Sequence, residues 1–189
     1  MNWHTFLIIA HIIGISLGVG GVTISDLNFF KILKRGKISE DTLGLLKTLS
    51  FAIWIGLIIL VLSGFGFLIL LRLTRPELGI LYNPKLWAKL TITAIVLFNG
   101  LIMHWKVFPL LESSVGKPLN SPEFSKKAWI AFTTGAISFI SWYSALILGA
   151  WRTDLSYFTI FGVYLVLVAG AIIVMNIIGR YLIKRLEKI

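Results

Sequence analysis

The chain contains no cysteine, and only 14% of its 189 residues are charged. The first absence excludes disulfides, thiolate metal sites, iron–sulfur clusters and cysteine nucleophiles. The second excludes an ordinary soluble domain, in which about 25% of residues are charged. A soluble fold this small has too much surface to cover with so few charges. Paired carboxylates for acid–base work, a nucleophile elbow, a phosphate loop and a zinc-binding helix are missing as well. Gly18-Val19-Gly20-Gly21 lies inside an apolar run rather than after a strand, so it is not a dinucleotide loop. No repeat or low-complexity segment occurs, and a second domain has no room.

What the sequence does contain is apolar. Hydrophobic residues make up 57% of the chain, and this excess must face lipid rather than water. Five apolar runs stand out, at about 3–30, 48–72, 86–109, 127–150 and 156–182. Each reaches the roughly 20 residues that a helix needs to cross about 30 Å of hydrocarbon. None alternates like a strand. The first run has no preceding Lys or Arg and is too long for a cleavable signal, so it is expected to be a membrane helix. The expected fold is an all-α membrane bundle of five spans forming a single domain.

The charges set a direction. The formal net charge is +10, but the basic residues cluster at the ends of apolar runs. That is the pattern of topology signals and headgroup contacts rather than of a nucleic-acid surface. Thirteen of the 18 Lys and Arg follow the first, third and fifth runs. The positive-inside rule then predicts the N-terminus outside and the C-terminus in the cytoplasm. Trp3, Trp87 and Trp151 fall near the outer interface, and Trp105 near the inner one.

Ionisable groups inside hydrocarbon cost about 2.5–3.5 kcal/mol each on insertion scales, so each marks a site hypothesis. Four qualify: His11, Asp26, Lys89 and His104. At 100° per residue, His4, His11 and Gly18 nearly eclipse, with Gly14 and Gly21 close by. One face of the first helix therefore carries two imidazoles and a glycine groove. Such a groove admits a neighbouring helix, or a flat porphyrin with imidazole as axial donor. Lys89, Thr93, Gly100 and His104 share a broad face of the third helix. Lys89 lies near an end of its run, where it can snorkel. Asp26 is close in depth to His104, so an Asp–His pair is one arrangement and Asp26 with a loop lysine another. A single bis-histidine haem between His11 and His104 conflicts with depth, because the offset along parallel helices is about 15 Å. Ser63, Ser138, Trp142 and Tyr164 are placed to surround His11, or to act as interhelical glue.

The arrangement resembles the bacterial CopD-type and HemJ-type integral membrane proteins over roughly residues 4–112. The features that carry the resemblance are His11-Ile-Ile-Gly14-Ile-Ser-Leu-Gly18-Val-Gly20-Gly21, Ser63-Gly64, and Leu86-Trp87-Ala88-Lys89-Leu90 closing near Asn99, His104 and Pro109. The resemblance implies a bacterial inner-membrane location and either copper movement or haem b and porphyrin oxidation. It implies His11 as a metal or haem ligand and Lys89 as the partner of an anionic group such as a propionate. The expectation is a haem-b-binding membrane oxidoreductase or electron carrier. Its cofactor residues would be His11, Gly14, Gly18, Lys89 and His104, and its metal donors His11, His104 and His4. The alternatives are a copper or small-solute transporter, and a non-catalytic accessory subunit packed on a membrane partner or a second copy. Copper(I) prefers soft ligands, and Met1, Met103 and Met175 are the only thioethers.

Overall fold

The computed structural model describes residues 2–186 apart from Thr153. Five helices are long and apolar enough to cross a membrane: α1 Trp3–Arg35, α2 Glu40–Thr74, α3 Pro84–Ser113, α4 Pro122–Ala150 and α5 Tyr157–Leu186. No extended strand occurs among the described residues, only isolated bridges. The helices overrun the apolar stretches, because caps rather than hydropathy set their ends. Gly36, at φ 73°, closes α1 in the left-handed conformation and donates its N–H to Ile32 O. Three residues later Ser39 caps α2, accepting from Thr42 N at 3.2 Å, with Glu40 and Asp41 in the first turn. The polar first turns of α2 therefore continue the membrane helix instead of forming a loop. The sequence also places a tight turn at Arg152-Thr153-Asp154, between the fourth and fifth runs; Thr153 lies outside the described residues.

Near its end α3 widens into a π turn over Met103–Val107. Phe108 donates to Met103 O, five residues back. The cause is Pro109, which lacks an N–H and whose ring would clash with the Trp105 carbonyl in a regular helix.

The two ends of the bundle differ. At the basic end the 36–39 link lies against the 114–121 link, with Gly116 N bonded to Ile38 O at 3.0 Å and Leu119 N to Gly36 O at 2.9 Å. Lys47 and Glu112 form an ion pair at 2.7 Å. Beneath them Ile32, Leu33, Ile38, Leu119, Phe124 and Phe132 form the largest buried cluster. At the N-terminal end Lys85 donates its ammonium to Trp151 O, and Thr91 meets Tyr157 OH at 3.2 Å.

Most of the helical surface stays apolar and exposed, as lipid contact requires: Phe158 is 82% exposed and Val166 72%. Helices in lipid gain little from burying more apolar surface, so close packing of small residues decides who touches whom. α1 lies along α2 at glycines. A Cβ built on Gly14 would stand 2.8 Å from Leu60 N, and one on Gly56 would stand 2.8 Å from Gly14 O. A little further round the same face, Gly18 makes room for Trp142 of α4, whose ring would lie 2.1 Å from an added Cβ. Gly179 of α5 receives Phe132 of α4 in the same way, at 2.4 Å. α4 is thus the hub that touches α1, α3 and α5, while α2 flanks α1.

Gly14→Val is expected to lower stability by about 1–3 kcal/mol, because backbone rather than a movable side chain fills the space. Gly20→Ala faces open space and is expected to be neutral or slightly stabilising. Thermal unfolding in detergent, followed by tryptophan fluorescence, reads both.

Candidate functional site

The first polar cluster is built on the α1–α2 contact. The His11 ring is half-buried, and its Nδ1 lies 2.9 Å from Ser63 Oγ. The Ser63 hydroxyl lies 2.7 Å from Ile59 O, to which its one proton points. Ser63 therefore accepts from His11, which carries its proton on Nδ1 and leaves the Nε2 lone pair free. Phe67 packs edge-on against both His4 and His11, with ring centroids 5.8 and 5.9 Å apart. The two imidazoles share this phenyl, and His4 is exposed. Lys89 of α3 is half-buried and makes no hydrogen bond or ion pair among the described residues.

The second cluster lies further along α1. Val22, Ser25, Asp26 and Phe29 line a cavity of about 90 Å³ enclosed by α2, α3 and α4. Ser50 and Trp54 enter from α2, Gly100 and Met103 from α3, and Ser138 and Trp142 from α4. Asp26 is the only charged residue on its wall, and its carboxylate has no hydrogen bond or ion pair among the described residues. It lies beside Gly135, where a Cβ would be 3.7 Å from Oδ1. Trp142 Nε1 is buried and also has no acceptor. Two hydroxyls near the cavity but not on its wall are, by contrast, satisfied. Thr23 donates to Val19 O at 2.6 Å and meets Tyr143 OH at 3.0 Å, and Ser141 donates to Ile137 O at 2.6 Å and meets Tyr164 OH at 2.8 Å.

The predicted residues are therefore dispersed. Gly14 and Gly18 are filled by the α2 backbone and by Trp142, so the groove of α1 serves helix packing and offers no slot for a flat ring. His104 sits on the π turn, exposed, between Trp54 and Phe108, with ring centroids 6.3 and 5.5 Å away. It pairs neither with His11 nor with Asp26. Of the four residues expected around His11, only Ser63 touches it. Ser138 and Trp142 face the Asp26 cavity, and Tyr164 bonds Ser141. No group of three or more His, Asp or Glu that could hold a metal forms among the described residues. The residues present do not fit a haem inside the bundle. The groove is full, a second axial donor is not adjacent, and the cavity is far below the about 300–1,000 Å³ of cofactor-sized pockets. The Asp26 cavity itself went unread in the sequence. Its signal was the single acid in an apolar span, but the serines facing it come from three other helices.

These features define a class: a five-span helical membrane protein whose described residues include a mostly apolar cavity holding one carboxylate, and a histidine–serine pair between α1 and α2. No family model matches the chain, and no curated protein or solved structure matches it.

¹⁵N spectra of His-labelled protein at alkaline pH are expected to show His11 as the Nδ1–H tautomer. Ser63→Ala is expected to shift it toward Nε2–H by removing the acceptor.

Proposed function

We propose that this chain is a proton-handling protein of a bacterial inner membrane, with Asp26 as the group that takes up and releases the proton. One observation carries this reading: a lone carboxylate within a membrane-spanning helix faces a cavity and receives no hydrogen bond from the described residues. An ionised carboxylate in an apolar interior is costly without a donor. Only a proton, a cation or water in the cavity can meet that need. A proton suits the donor set best. Calcium and magnesium require six or more oxygens, and this wall supplies one carboxylate and a few hydroxyls. The cavity has room for a few water molecules, which can carry protons between Asp26 and the hydroxyls of Ser25, Ser50 and Ser138. The clustering of Lys and Arg at the end bearing the 36–39 and 114–121 links supports a cytoplasmic C-terminus. In that orientation Asp26 lies in the inner half of the bilayer.

Wild-type protein in liposomes, under a valinomycin-imposed potassium potential, is expected to acidify a trapped pH dye well above the protein-free rate. Asp26→Asn is expected to return the rate to background. Absence of flux in wild type, or equal flux in the variant, would overturn the proposal.

A competing reading, in line with the CopD-type and HemJ-type resemblance, makes His11 a ligand to haem b or copper. The free Nε2 favours it, since ligating imidazoles usually donate the other ring N–H to a neighbour. A reduced-minus-oxidised spectrum of protein purified from haem-replete cells separates the two. No Soret band is expected. A Soret band that disappears in His11→Ala would replace the proton reading with the haem one.

A further inference from the structure

A groove of about 800 Å³ runs between α3 and α4 toward the basic end. Its size falls in the range of pockets that hold whole small ligands. Trp105 and Lys106 border it from the π turn of α3, and Lys127 and Trp129 from the first turns of α4. Ile130 and Ile137 line it further along α4, toward the middle of the membrane span. Trp105 is 69% exposed and Trp129 51%. Among the described residues neither Lys106 nor Lys127 forms an ion pair, although Lys47 and Lys117 nearby do.

We propose that this groove binds an anionic phospholipid, with the phosphate between Lys106 and Lys127 and an acyl chain along Ile130 and Ile137. Three features agree on that occupant. The groove opens on the lipid-facing surface, so a lipid reaches it without crossing water. Its polar end carries two unpaired ammonium groups and no carboxylate, which complements a phosphate. The two tryptophans stand beside the lysines, where amphipathic rings settle at headgroup level. Basic pockets between membrane helices recognise anionic headgroups by the same charge arrangement. The π turn contributes to the geometry. It shifts the helical register before Pro109 and sets where Trp105 and Lys106 emerge relative to α4.

The test is native mass spectrometry of detergent-solubilised protein titrated separately with phosphatidylglycerol and phosphatidylcholine. Wild type is expected to prefer phosphatidylglycerol, and the Lys106→Gln/Lys127→Gln double variant to bind it about tenfold more weakly. Its binding of phosphatidylcholine is expected to be unchanged. The Lys31→Gln/Lys34→Gln pair loses the same charge from exposed positions on α1 and is expected to keep the preference. Inorganic phosphate is expected not to compete, since it lacks the chain. Equal phosphatidylglycerol binding by wild type and the groove variant would overturn the proposal. So would an equal loss in the α1 variant, which would assign the preference to net charge. Competition by phosphate alone would overturn the acyl-chain part. Thermal unfolding of the groove variant at the wild-type temperature confirms that it is folded. Should it unfold early, the single Lys127→Gln variant, at an exposed position, supplies the same comparison.

Discussion

Gly14 and Gly56 let α1 and α2 approach until backbone touches backbone, and the rest of the interior is arranged around that contact. One turn toward the N-terminus from Gly14, the approach brings His11 to Ser63. One turn the other way, Gly18 admits the Trp142 ring and so binds α4 to α1. Further on, beyond the Gly21 contact with Ile53, the space between α1, α2, α3 and α4 stays open as the Asp26 cavity. A bundle in lipid cannot gain this order from apolar burial, because its outside is as apolar as its inside. Shape at a few small residues has to supply it.

Backbone groups in hydrocarbon are satisfied within each helix, and hydroxyls can follow them. Thr23, Ser63, Thr134 and Ser141 each donate to a carbonyl four residues back. A carboxylate has no such exit, since an ionised one can only accept and a helix interior has no free N–H. Asp26 therefore stands apart from the hydroxyls that turn back on their own helices. The Trp142 N–H lacks a partner for the opposite reason, because the cavity wall near it carries no acceptor that reaches it. Two unmet groups on one small cavity are most simply met by water within it.

The histidines show how far periodicity reaches. Helical phase placed His4, His11 and the glycines on one face of α1, and the structure has them so. Phase could not say what that face meets. A glycine groove is the same sequence pattern whether a porphyrin or a tryptophan fills it, and here Trp142 fills it. The depth argument that kept His11 and His104 apart rests on rise per residue alone; in the structure the rings meet different stretches of α2, His11 at Ser63 and Phe67 and His104 at Trp54. That His104 faces outward depends on the π turn. The extra residue in that turn comes from Pro109, and the shift it causes accumulates only in the folded helix.

The number of spans, the all-helical class and the asymmetry of charge were determined by the sequence alone, because each follows from local composition against a fixed bilayer thickness. The helix ends came with the structure, at Gly36 and at Ser39 before its two acids. The cavity, the Ser63 partner of His11 and the α3–α4 groove were decided only by tertiary structure. Each is assembled from residues tens of positions apart, on helices whose rotation about their own axes is set by glycine contacts. An apolar alphabet that reads alike on every face of a lipid-embedded helix does not encode those rotations.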